Sequence, residues 1–358
     1  MVGRTTSRGA APLLAALLLS LLGGQAWGAA TITVQTSAGG ATVAGTAPNF
    51  NINLGTVNGL GIGSPGSGVS IITTAVSNGA LYTSPYSIFL TGWGSSAAVQ
   101  VTAYVSTNFA HPAVLVAKSC ATNTSCSVST NFTTVSTSSS SPTLVTSATV
   151  PNNSTVTATI GTLVGAVNGA SAFTGTDWVT LTYKATDLNN TSHTATATFT
   201  PYMTEQTAVQ LTLASAPSGL TISPASDYST NYGSVNGLGI SPASGLTVVS
   251  AAGGVIYTTP YVITPSFSNF TSTSGTVKAY VSSNFAHAAI LALEDATASG
   301  GPYTAISTSS GSPSVFTTSA ASATALTRYL GLFTSNANGA SAFTGADTAT
   351  LTYTLTVP

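Results

Sequence analysis

The sequence predicts an all-β fold: two tandem β-sandwiches, Ig-like or jelly-roll-like, that arose by internal duplication and follow an N-terminal signal peptide. Three observations lead there. The first is an ordered echo. GTVNGLGI at residues 55–62 returns as GSVNGLGI at 233–240, and YTSPY at 82–86 returns as YTTPY at 257–261. AYVSTNFAH at 103–111 returns as AYVSSNFAH at 279–287, and NGASAFTGTD at 168–177 as NGASAFTGAD at 338–347. The blocks keep their order while the spacing between copies shortens along the chain. Short indels therefore belong in loops, and the blocks in a shared framework. A period of roughly 170 residues suits a whole domain rather than a solenoid unit. The second observation is alternation: Ala349, Leu351, Tyr353, Leu355 and Val357 interleave with Thr350, Thr352, Thr354 and Thr356. That is one apolar face and one threonine face. The third is composition, because only 4% of the chain is charged. The Glu, Lys and Arg that usually clothe helix surfaces are nearly absent.

Taken in order, residues 1–30 read as the signal peptide. Arg4 and Arg8 precede an apolar run at 10–22, and small residues surround Ala26 and Gly28, the three-part plan of a secretory leader. A membrane anchor is the rival reading, but the apolar core is short for a bilayer span. The mature chain is expected to be exported, with no membrane insertion after cleavage. The first sandwich is placed at 31–205, with candidate strands at 32–35, 69–74, 87–90, 98–105, 113–117, 144–150, 155–160 and 179–185. These runs are rich in Val, Ile, Thr and Tyr and are bounded by Gly, Pro, Asn and Ser. Pro85 and Pro260 are expected to fix a bend while the flanking tyrosines cover the core edge. Segments 194–200 and 207–213 also alternate, so the join is expected to be paired into the sheets. The second sandwich is placed at 206–358.

Beyond the leader, Lys118, Lys184, Lys278 and Arg328 face Asp177, Asp187, Glu205, Asp227, Glu294, Asp295 and Asp347. A surface with so little charge must be built from Ser, Thr, Asn, Gly and Ala, and little like-charge repulsion keeps copies apart. Nucleic-acid binding is excluded, since no basic stripe exists to displace counterions from phosphates. Disorder is excluded by 43% hydrophobic residues arranged in strand patterns. Cys120 and Cys126, in CATNTSC, are expected to form a disulfide stapling an elongated loop of an exported chain. Metal binding is the alternative, but two thiolates without a neighbouring His or further Cys do not complete a zinc site. The corresponding stretch of the second copy, from Glu294, is shorter and has no cysteine.

Chemistry-bearing residues are few. His111 and His287 end the NFAH blocks, and Asp177 and Asp347 follow FTG. A hydrolase triad would need a serine on a Gly-x-Ser-x-Gly elbow, which is missing. The expected roles are a loop histidine bonded to backbone and an aspartate capping a turn. No catalytic, cofactor-binding or metal-binding set emerges, and the chain is expected not to be an enzyme. Trp93, in TGWGSS, is a candidate ligand-binding residue that could stack on a sugar ring, as could Trp178. A buried tryptophan closing the sandwich end is the alternative for each. The function expected is an exported structural or interaction protein, secreted or at the cell surface. It would be a self-associating subunit of a surface layer, fibre or extracellular matrix, partnered by itself or other surface proteins. Strands starting near Thr31 and ending at Pro358 are placed to pair with a neighbour. The alternative is an adhesin or carbohydrate-binding module that holds a glycan through aromatic loop residues of the first copy.

Overall fold

The computed structural model describes residues 29–94, 97–122, 124–146, 149–224, 227–338 and 342–358. The signal-peptide reading of residues 1–30 therefore falls almost wholly outside the described residues. In the first half the strands are β1 (Thr31–Thr36), β2 (Val43–Thr46), β3 (Asn49–Val57), β4 (Ser70–Ile72), β5 (Gly79–Thr91), β6 (Val99–Thr107) and β7 (Leu115–Cys120). They continue as β8 (Thr133–Thr134), β9 (Thr143–Leu144), β10 (Ser154–Gly165), β11 (Gly175–Trp178), β12 (Thr180–Asp187) and β13 (Asn190–Glu205). The second half holds β14 (Ala208–Ser215), β15 (Ser223–Pro224), β16 (Tyr228–Ser229), β17 (Thr247–Ala251), β18 (Gly254–Ser268) and β19 (Ser274–Ser283). It ends with β20 (Leu291–Ala296), β21 (Thr304–Ala305), β22 (Ser314–Ala321), β23 (Leu326–Ser335) and β24 (Thr350–Thr356). The fold is all-β. Among the described residues no helix is long and apolar enough to cross a membrane.

The first half packs two sheets face to face. One runs β1-β5-β10-β7-β8, with β4 also on β5. The other runs β2-β3-β13-β12-β6-β9, with β11 also on β13. Alternation sends Ile32, Val34, Ile88, Leu90, Ile160, Val101, Leu181 and Phe199 inward to one continuous core, as expected of aligned sandwich packing. The second half repeats the first sheet as β14-β18-β23-β20-β21, with β17 on β18. A separate core forms there around Tyr257, Ile263, Val277, Ala279 and Leu332. The join is paired on both sides: β13 closes a sheet of the first half, and β14 opens one of the second.

Two strand expectations change. The 144–150 stretch is strand only at its start, in β9, with one further bridge from Val150 to Val99. Pro85 and Pro260 do not bend the chain, since they lie inside the long strands β5 and β18. They are tolerated because β1 leaves β5 at Tyr86 while β4 joins only at Thr83, so Pro85 sits in a gap where no ladder donor is needed. The second half keeps the same gap between Tyr261 and Thr258. Its filler is a glycine: a Cβ on Gly40 would lie 2.0 Å from the Pro85 carbonyl oxygen, and one on Gly219 would lie 2.3 Å from that of Pro260.

Candidate functional site

The two halves differ at one strand position. In the first, Leu188 and Asn189 turn β12 back as β13, which pairs antiparallel with β12 and parallel with β3. The order β2-β3-β13-β12-β6-β9 thus has β13 at its centre. In the second half the corresponding strands form two fragments, the hairpin β15-β16 and the sheet β22-β19-β24. Among the described residues no strand pairs with β24 on its side away from β19, and none pairs with β16 on its side away from β15.

Burial follows this difference. Leu181, Tyr183 and Ala185 on β12 are fully buried, whereas Leu351, Tyr353 and Leu355 on β24 are half-buried. Phe50 on β3 is buried, while Tyr228, at the same place in the second copy, is 41% exposed. A cavity of about 880 Å³ lies beside β16, lined by Leu220, Thr221, Ser229, Thr230, Asn231 and Gly245. The buried Thr230 hydroxyl has no hydrogen-bond partner among the described residues. An antiparallel edge with half-covered apolar side chains is a template for an added strand.

The repeated blocks meet as two latches in each half. In the first latch the Tyr82 hydroxyl donates to the Asn58 carbonyl and accepts its N–H, both at 3.0 Å, and Asn58 Oδ1 accepts from Leu60 and Ile62 N–H. Tyr257 and Asn236 repeat this. In the second latch Asp177 Oδ2 accepts from the His111 N–H and lies 3.0 Å from His111 Nδ1, while Oδ1 accepts from Ala110 and Trp178 N–H. The imidazole stacks on Phe173 with centroids 3.5 Å apart. His287, Asp347 and Phe343 reproduce it, with Nδ1 2.9 Å from Asp347 Oδ2. The histidines therefore bond to carboxylate as well as presenting backbone. Asp347 is held down at about 2: partial desolvation pushes its carboxyl up, but His287 and the N–H groups of Ala286, His287 and Thr348 outweigh that. Among the described residues no hydroxyl is hydrogen-bonded to either Nε2, and no set of three metal-ligating side chains gathers.

The two tryptophans divide between the two expected roles. Trp93 is 1% exposed, its indole N–H donating to the Thr31 carbonyl at 3.2 Å and its ring against His193. It closes the end of the sandwich and offers no face to a ligand, so the candidate binding role fails there. Trp178 is 53% exposed. Cys120 and Cys126 are joined, with Cα atoms 5.9 Å apart, and Cys120 packs with Leu81 and Phe132. Asn269, in the sequence Asn-Phe-Thr, is 3% exposed with φ of 64°, which leaves no room for a glycan on its side chain.

Asn269 belongs to a junction that sequence reasoning missed. Its side-chain amide donates to Glu205 Oε1 and its N–H to the Val167 carbonyl, while Asn168 bonds Phe267 and Phe270. Burial pushes the Glu205 carboxyl up to about 8, opposed by Asn269 and reinforced by Asp177. Elsewhere Asp295 pairs with Arg328.

No family model matches this chain, and no curated protein matches it. Solved structures do. The CooA pilin subunit of enterotoxigenic Escherichia coli is 13% identical, at TM-score 0.27 over 49% of this chain and 99% of its own. The CsuC-CsuE chaperone-tip adhesion subunit pre-assembly complex of archaic chaperone-usher Csu pili of Acinetobacter baumannii is 9% identical, at TM-score 0.32 over 90% of this chain and 99% of its own. The secreted serine protease VesC of Vibrio cholerae is 9% identical, at TM-score 0.21 over 95% of this chain and 53% of its own. At these scores the likeness carries no function over to this chain.

Proposed function

We propose that this chain is an exported, non-enzymatic subunit of a surface fibre or layer, built as two sandwiches at 31–205 and 206–358. The first is complete in itself, and the second is completed by a strand from a neighbouring subunit. The observation that carries this reading is that, among the described residues, β24 is paired only with β19, where the first half pairs β12 with both β6 and β13. The incoming strand would run antiparallel to β24 and parallel to β16, as β13 runs beside β12 and β3. It would carry apolar side chains on alternate positions, as Ala197, Phe199 and Met203 do on β13. Strand β1 is not a free donor, because Ile32 and Val34 are buried in its own core. The nearly charge-free surface supports close association of copies.

The test is light scattering with electron microscopy on residues 31–358, alone and with a synthetic peptide of residues 194–205. The reading predicts either concentration-dependent assembly that the peptide blocks, or a monomer that binds the peptide through its second half. A monomer indifferent to the peptide contradicts it.

A further inference from the structure

We propose that the outer face of the first half's β2–β9 sheet is a saccharide-binding surface centred on Trp178 and Tyr202, taking a neutral hexose or N-acetylhexosamine chain.

The second half acts as an internal control for Trp178. Its backbone duty is to donate its N–H to the preceding aspartate, at 2.8 Å, and Thr348 does the same at 2.8 Å in the second copy. The latch therefore works with threonine in this place. The fold does not ask for an indole here, and the indole is 53% exposed. An exposed tryptophan that the architecture does not need is a candidate contact residue.

Its surroundings choose the ligand class. Trp178 lies across from Tyr202, which lies beside Asn53 on β3. The flanking rows set Thr176 against Thr204, hydroxyls 3.2 Å apart, and Thr180 against Thr200, 3.3 Å apart. With strands about 4.8 Å apart, the row Trp178-Tyr202-Asn53 spans about 10 Å, long enough for two sugar rings. An aromatic face stacks on the C–H side of a pyranose, and neutral hydroxyl and amide groups bond its hydroxyls. The outward side chains of these rows carry no charge, which disfavours phosphate, nucleic acid or an acidic peptide. Two isolated aromatics make a small apolar patch, less than a protein partner uses in the core of its contact. The surface lies on the first half and does not depend on strand addition in the second.

The test uses residues 31–358 as wild type and as Trp178→Thr, the residue of the second copy. Both are applied to an array of neutral hexose and N-acetylhexosamine oligomers, with thermal unfolding and tryptophan emission followed in parallel. The expected result is retention of at least one oligomer, a blue shift of emission on binding, and at least a tenfold loss in Trp178→Thr with an unchanged unfolding midpoint. A silent array overturns the proposal, as does retention that survives Trp178→Thr. Loss of assembly in Trp178→Thr with no glycan retained by the wild type also overturns it, and assigns the face to subunit contact.

Discussion

The hydroxyls of Tyr86 and Tyr183 meet at 2.8 Å in the middle of the first core, where both side chains are fully buried and Phe199 of β13 packs against both rings. The corresponding pair, Tyr261 and Tyr353, meets at 3.2 Å, with Tyr353 half-buried and, among the described residues, Phe316 of β22 rather than a β13 counterpart against its ring. One buried strand, β13, separates the two environments.

Copying the hairpin should complete the second half. A chain in which residues 188–205 are appended after Thr356 is expected to fill the open position as β13 fills its own. Burying three or four apolar side chains at about 1.5–3 kcal/mol each, together with the ladder hydrogen bonds the strand makes on β24, offsets the cost of ordering the added strand with a small surplus. A rise of roughly 5–10 °C in the unfolding midpoint of the second half is expected. The variant should be monomeric by light scattering and indifferent to the 194–205 peptide.

Truncation should expose the same asymmetry. Phe199→Ala removes the side chain that covers Tyr86 and Tyr183 and is expected to destabilise the first half by about 3–4 kcal/mol. Tyr353→Ala, cutting a half-buried ring, is expected to cost clearly less until a strand is added. Denaturant unfolding of each variant with and without the peptide measures both.

Acid should loosen the second half's latch. Asp347 is held at about 2 in the fold, below its ordinary value of 3.8, so its contribution is present above about pH 4 and is lost as pH falls toward 2. Amide exchange at Ala286 and His287 should accelerate across that window. Asp347→Asn should show fast exchange at those amides at neutral pH and no further acid step.

The junction carries the opposite slope. Glu205 is raised to about 8 from 4.5 by burial, so the fold favours its neutral form. That contribution is full below about pH 4.5 and is lost as pH rises through 8. Glu205 Oε2 and Asn269 Oδ1 are both buried without partners among the described residues, and a proton on the carboxyl gives the amide oxygen a donor. Glu205→Gln should flatten the loss of stability between pH 5 and 9 and raise the unfolding midpoint at pH 9. A Glu205→Gln profile parallel to wild type would contradict this.

Much of the fold was legible because alternation of Val, Ile, Thr and Tyr with a period of two reports a half-buried strand directly. Strand β3 was missed because FNINLGTV reads Asn and Gly as loop residues, although its asparagines face solvent beside threonines of β13. Pro85 misled for a similar reason, since a gap between neighbouring strands, invisible in sequence, removes the cost of its missing N–H. The NFAH and FTG blocks were visible as repeats, but their pairing through Asp177 and Asp347 is a tertiary fact. Trp93 and Trp178 could not be ranked, since both stand beside Gly, Ser or Asp and only the packing of β1 buries one of them.

The most direct test of strand acceptance is hydrogen exchange, read in one molecule, of β24 against β12. The account predicts that amides of Thr350–Thr356 on the edge away from β19 exchange at least about tenfold faster than those of Thr180–Asp187, and slow to matching rates when the 194–205 peptide or a neighbouring subunit is added. Equal protection of both strands in the isolated chain, unchanged by the peptide, would mean that the second sandwich is already complete and would contradict the account.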